Sequence, residues 1–264
     1  MLKKLLLSAA VASVALSAAH ASNVTPDVIF GSGNANGSFT IAQDATTGVE
    51  LGLRAKLRFD ANGQPQNQFN YDGIKTYTFD AGAAVGGFSA ITPVWNFEWS
   101  INADFDDNGG SLADYTYLLE VDGDPNGVDF GLTYDPVNPF GAGFSCTDNA
   151  LGTNTTGNGG GTSVNCASLT GVMDYTNALQ ANNVAQNSVN YDFLDGILPQ
   201  LANFDPNDTG IYTIRLSAFS GMNLIAQTEI DVEIESNPVP VPGAAALMAA
   251  GLAGMAGRRR QKKA

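Results

Sequence analysis

Hydrophobic and polar residues alternate with period two along most of this chain. Val49, Leu51, Leu53, Ala55, Leu57 and Phe59 fall on one side, and Glu50, Arg54, Lys56 and Arg58 on the other. Trp95, Phe97, Trp99 and Ile101 share a side opposite Asn96, Glu98, Ser100 and Asn102. Tyr117, Leu119 and Val121 repeat the pattern, as do Val128, Phe130, Leu132 and Tyr134. Near the end come Tyr212, Ile214, Leu216 and Ala218, then Leu224, Ala226, Thr228, Ile230, Val232 and Ile234. Side chains of a strand point alternately to its two faces, so each run predicts a strand with one buried and one wet face. Asn62-Gly63, Asp72-Gly73, Asn108-Gly109 and Asn126-Gly127 are turn formers between runs, and Ser220 to Asn223 predicts a closing hairpin. Helical patterning is scarce. Short helical turns are expected over 174–185 and 191–201, and an irregular loop over 136–168. The expected fold class is all-β, an antiparallel β-sandwich.

One motif narrows the type of sandwich. Asp208, Gly210 and Tyr212 open the penultimate strand in a D-x-G-x-Y pattern. It resembles the tyrosine corner of Ig-like domains, in which the tyrosine hydroxyl bonds back to nearby backbone. The resemblance implies an Ig-like sandwich, with a jelly roll as second choice.

Both ends of the chain are organised for transport. Lys3 and Lys4 precede an uncharged apolar run, and Ala19, His20 and Ala21 end it with the small-x-small pattern of a signal-peptidase site. Residues 1–21 are expected to be a signal peptide, cut between Ala21 and Ser22. The domain would span 22–236. From 237 the chain carries Pro238, Pro240 and Pro242, then an uncharged run from Gly243 to Gly257, then Arg258, Arg259, Arg260, Lys262 and Lys263. A proline spacer stays extended. The apolar run falls short of the roughly twenty residues that span a bilayer easily, and the basic end is held on the cytoplasmic side. A plain membrane anchor would use the same physics. The three-part tail, 237–264, resembles the PEP-CTERM class of sorting signals, in its VPxPA-like variant. That resemblance implies export in a Gram-negative bacterium and transient membrane insertion through the tail. It also implies processing by an exosortase-type membrane protease and a place at the cell surface or in the extracellular matrix, beside exopolysaccharide and biofilm. The segment from Tyr115 through Asp124 and Pro125 to Phe130, and that from Val184 to the last hairpin, also resemble exported PEP-CTERM proteins.

Charge then excludes several partners. All 26 acidic residues lie between Asp27 and Glu235. Between the two terminal signals only Arg54, Lys56, Arg58, Lys75 and Arg215 oppose them, five against 26 for a net of −21. Nucleic acid and anionic membrane surfaces both need a basic face, so neither is an expected partner. The single histidine, His20, lies in the signal segment. Without it the remaining chain has no Ser-His or Cys-His nucleophile and no histidine-ligated metal. Cys146 and Cys166 are an even pair in an exported chain, which predicts a disulfide closing the Gly/Asn/Thr-rich loop between them.

Two segments carry the first half of a calcium loop, D-x-[DN]-x-[DN]-G. They are Asp104, Asp106 and Asn108 before Gly109, and Asp122, Asp124 and Asn126 before Gly127. Oxygens on alternate positions of a tight turn can converge on one hard cation. Tyr115 and Thr133 stand where an EF-hand has its bidentate acid, so neither loop is an EF-hand; Asp114 and Asp129 are near enough to contribute. Calcium is the candidate cofactor. Metal-free acidic turns are the plain alternative. Glu98, with Asp104 or Asp106, is the candidate pair for glycan hydrolysis. Trp95, Phe97 and Trp99 are expected in the core rather than on a sugar platform, with Phe219 and Ile225 outside. The expected function is a structural or adhesive one in an exopolysaccharide layer, without enzymatic activity. A calcium-dependent carbohydrate-binding module is the alternative, and a glycan hydrolase the third choice.

Overall fold

In the computed structural model the chain is described at residues 22–23, 26, 37–138, 149–165, 168–194 and 204–236. Its elements are nearly all strands, in two sheets. One sheet holds β1 (Ser22–Asn23), β2 (Thr40–Asp44), β3 (Val49–Phe59), β4 (Pro65–Gln68), β6 (Trp95–Asn102), β9 (Ala150–Gly152) and β10 (Val184–Val189). Its order is β1-β2-β3-β6-β10-β9, with β4 added on β3. The other holds β5 (Thr76–Asp80), β7 (Thr116–Val121), β8 (Leu132–Tyr134), β11 (Gly210–Ser220) and β12 (Asn223–Glu235), in the order β5-β12-β11-β7-β8. Pairing is antiparallel except between β5 and β12. Among the described residues there is one α-helix, α1 (Leu169–Ala181), which starts where the Ser168 side chain accepts from the Gly171 amide at 3.1 Å, an ordinary N-cap.

The alternating runs become the core. Leu51 and Leu53 of β3, Trp95, Phe97 and Trp99 of β6, Leu119 of β7, Ile214 and Leu216 of β11, and Ile230 and Val232 of β12 are all buried in one cluster shared by both sheets. Burying each large apolar side chain stabilises the fold by about 1.5–3 kcal/mol. Trp95, Tyr191, Phe204 and Tyr212 meet at one end of this core, Trp95 and Tyr191 with ring centroids 4.8 Å apart and Tyr191 and Phe204 at 5.0 Å. The last hairpin closes as expected: Gly221 takes φ 60 beside the exposed Met222, and Ser220 pairs with Asn223. That places Gly at the first central position of a type II′ turn, whose twist matches the strands.

Several expectations need correction. The polar side of β3 and β6 is not wet: Glu50, Arg54, Lys56, Asn96, Glu98, Ser100 and Asn102 are all buried. Alternation separates two faces without saying which is covered, and here Phe39, Ile41 and Pro26 crowd the outer face of β3 at Gly52. Val128 and Phe130 do not extend β8, which begins at Leu132, and Val128 is exposed. The helix ends at Ala181 rather than 185, because Val184–Val189 pairs with β6 and β9 as strand β10. Only Tyr191–Phe193 of the second helical segment is a helical turn, among the described residues. Phe219 and Ile225 are half-buried, beside a bulge between Ala218 and Phe219. Cys146, Cys166, Ala21, Pro238, Pro240, Pro242, Arg258, Arg259 and Arg260 lie outside the described residues, and with them the disulfide, the cleavage site and the sorting tail. No helix among the described residues is long and apolar enough to cross a membrane.

Candidate cation-binding loops

Strand β7 has one aspartate loop before it and one after it. The six-residue strand between them is about 20 Å long.

In the first loop Asp104 is buried directly after β6. Its carboxylate accepts from the amides of Asn108 at 2.8 Å, Gly109 at 2.7 Å and Gly110 at 3.1 Å. Both oxygens are therefore held by backbone. Its own carbonyl accepts from the side-chain amides of Asn154 at 2.7 Å and Asn183 at 3.2 Å. Asn154 also donates to Asp107, at 2.6 Å, and Asn102 donates to Asn154, at 2.8 Å. Asp106 and Asn108 are exposed at the rim. The result is a self-satisfied knot of asparagine and aspartate that pins the β6–β7 connection to the β9 and β10 side.

The second loop is different. Asp122 is 0% exposed at the end of β7. Its Oδ1 accepts from the amides of Asp124 and Asp129, both at 3.1 Å, so the carboxylate sits inside the loop. This capture breaks the ladder where β8 was expected to start. Its Oδ2 is buried without a hydrogen-bond partner. Burial pushes the Asp122 carboxyl above the ordinary aspartate range, against the pull of the amides of Asp124, Asp129 and Thr213. Asp124 is held below that range by the amide and side chain of Asn126, both at 2.9 Å. Asp124, Asp129, Asp208 and Asn126 line an open cleft of about 650 Å³.

The start of β11 closes this end. The Ile211 amide donates to the Pro125 carbonyl at 3.0 Å. Gly210 has φ 141, and a Cβ there would stand 2.2 Å from that carbonyl, so only glycine fits. The Tyr212 ring is buried in the aromatic cluster, and its hydroxyl is pushed up first by burial and then by Asp208, Asp122, Asp205 and Asp124. The backbone tie in this cluster comes from Tyr191, whose hydroxyl donates to the Asp122 carbonyl at 2.9 Å. Among the described residues no three Asp, Glu, His or Cys side chains already stand together as a metal cage.

The structure does not bring Glu98 to Asp104 or Asp106 in a cleft. Glu98 is fully buried on the outer face of β6, ion-paired to Arg54 and Lys56. Register places Arg54 directly opposite Glu98. The guanidinium lies 4.1 Å from the Phe39 ring centroid and 4.4 Å from that of Phe69 and donates to the Gly37 carbonyl at 2.7 Å. Lys56 also donates to Asn67 at 3.0 Å. Burial lowers the pKa of both cations, and Glu98 opposes that in each. A carboxylate so enclosed has no access to a glycan. Sequence reasoning missed this triad, and also Asp205 and Asp208. Two cations at i and i+2 facing one acid across a pair was the available signal for the first; the D-x-G-x-Y motif hid Asp208 as a strand-start residue. Comparison with protein-family models, curated proteins and solved structures finds no match to this chain.

Proposed function

We propose that this is an exported protein of the cell surface or extracellular matrix, with a structural or adhesive role in an exopolysaccharide layer. The observation that carries this is how the body uses its five basic residues. Arg54 and Lys56 are buried on Glu98. Lys75 is bound to Glu229 at 3.0 Å and Asp231 at 2.9 Å. Arg215 is bound to Glu229 at 2.8 Å and Glu120 at 3.5 Å and stacks on Phe130. Arg58 lies over the Phe59 ring. Positive charge is turned inward or neutralised in place, so carboxylates dominate the exterior. Such a surface repels nucleic acid and anionic lipid, stays soluble and gathers counter-cations, which suits a hydrated polysaccharide gel. The tail supplies the address: an exosortase-type protease would act at Pro238–Pro242, with the apolar run inserted and Arg258–Arg260 held inside.

The two-sheet body is, in this proposal, an Ig-like sandwich. β3-β6-β10-β9 follow the order A-B-E-D, and β12-β11-β7-β8 follow G-F-C with an added C′. Tyr212 then stands near the start of strand F, where the tyrosine corner belongs. The chain departs from antibody domains in having no cysteine on the B and F strands, β6 and β11.

The test is deletion of the gene in the producing bacterium, followed by measurement of biofilm cohesion and of matrix-bound protein. Loss of cohesion, restored by the full chain and not by a chain lacking 237–264, is expected. Unchanged cohesion overturns the structural role; restoration by the truncated chain overturns the role of the tail.

A further inference from the structure

We propose that Lys56 and Asn67 form an intramolecular amide bond, with Glu98 carrying the protons, so that β3 and β4 become covalently joined. Three reactive groups meet on the outer face of the first sheet. Lys56 of β3 is almost wholly buried, and its Nζ donates to the side-chain oxygen of Asn67 on β4 at 3.0 Å. The same Nζ is ion-paired to Glu98 of β6, which has no exposure. An amine thus touches both a carboxamide and a carboxylate. Amide exchange needs that set: a nucleophile against its electrophile, with a proton carrier on the nucleophile. The sheet holds the three in place. Lys56 lies opposite Asn96 of β6, one residue from Glu98's row, and β4 pairs with β3 at Leu57 and Gln68.

The surroundings favour reaction over a resting ion pair. Two cations, Arg54 and Lys56, share the carboxylate of Glu98 away from solvent. Charge in excess is costly to bury. Burial also lowers the Lys56 pKa, which favours the neutral amine, the form that attacks. Turning Lys56 into an amide leaves Arg54 and Glu98 as a matched pair. Only the carboxamide has to turn. Its carbon is one bond beyond the bonded oxygen, and rotation about its soft terminal torsion brings it to the roughly 3–3.5 Å of a near-attack geometry. Nζ then bonds to Cγ as the Cγ–Nδ2 bond breaks. The lysine ammonium sheds two protons, Glu98 passes both to Nδ2, and Nδ2 leaves as ammonium. Glu98 ends as the carboxylate it began, and no oxidant or cofactor enters. Asn67 is exposed, which gives the leaving group a path to solvent. The other carboxamide beside Lys56, that of Asn96, is committed through its amide to Ser188 at 2.6 Å.

Mass spectrometry of the folded full chain tests this. Trypsin should release Ala55–Arg58, uncut at Lys56, joined to Phe59–Lys75, one ammonia lighter than the two peptides together. The joined peptide should be absent in Lys56→Arg and in Asn67→Ala. In Glu98→Gln it should form roughly 100-fold more slowly. Circular dichroism separates a Glu98→Gln chain that fails to fold from one that folds without reacting, and the wild-type digest decides the bond in either case. A folded wild type that trypsin cuts at Lys56, giving separate peptides of full mass, overturns the proposal and leaves an ion-paired lysine. Lys56 joined to Asn96 overturns the choice of Asn67. A folded Glu98→Gln that reacts at the wild-type rate overturns the role of Glu98. Loss of ammonia without joined peptides also overturns the bond, by placing the loss in ring closure at Asn62–Gly63. Each of these failures leaves the surface or matrix role standing, since that role rests on cohesion and fractionation.

Discussion

The two aspartate loops share a motif and differ in what their first aspartate does. At Asp104 the carboxylate organises a turn: three amides converge on it, and Asn154 and Asn183 hold the carbonyl behind it. At Asp122 only one oxygen organises the turn, and the other is buried without a partner. The motif therefore describes a way of bending a chain around a carboxylate. Whether the bend satisfies both oxygens is decided by the neighbours. Asparagines from β9, β10 and their flanks complete the first loop. Aspartates from the β10–β11 connection face the second.

The largest expected effect is on the loop that is already satisfied. Asp104→Ala removes three charge-assisted bonds and strands their donors, so it should destabilise by about 3 kcal/mol, equally with and without calcium. Urea unfolding in both conditions measures this. A loss that calcium partly restores would break the contrast between the loops. Next is Gly210→Ala, which sets a Cβ against the Pro125 carbonyl at a positive φ. Strain of that kind costs on the order of 2 kcal/mol. Urea unfolding of the variant checks this; unchanged stability would show that the β11 start does not press on the loop.

Much of the fold was legible in the sequence. Long alternating runs marked β3, β6, β7, β11 and β12, because each has one face in the shared core. The short strands β2, β4, β5, β9 and β10 were not, since runs such as Pro65–Gln68 hold too few apolar residues to show a period. The buried polar face escaped for another reason. Arg54, Lys56 and Glu98 read as solvated residues one at a time, and only their register, Arg54 opposite Glu98, makes them a unit that tolerates burial. At the candidate site the motif found both loops and the cleft residue Asp129. It could not rank the loops, because the ranking depends on Asn154, Asn183 and Asp208, which lie far along the chain and meet them only in the folded sheet.

The smallest effect carries the sharpest sign. Asp122→Asn keeps an oxygen for the amides of Asp124 and Asp129 and removes a buried charge. Folding raises the Asp122 pKa above its ordinary 3.8, so the folded state holds the proton more tightly than the unfolded chain. Without calcium, the stability this group contributes is full below that ordinary value and declines as pH rises through it and up to the folded value. The variant cannot ionise there. It should equal the wild type at low pH and become more stable than it, by up to about 1 kcal/mol, toward neutrality. Asp124, whose pKa is lowered, runs the opposite way in both proteins and cancels in the difference. Paired unfolding curves of the two proteins from pH 3 to pH 7, in chelator, would show the divergence. Parallel curves across that range would mean that the fold does not disfavour the Asp122 charge, and that the two loops differ only in how well they are filled.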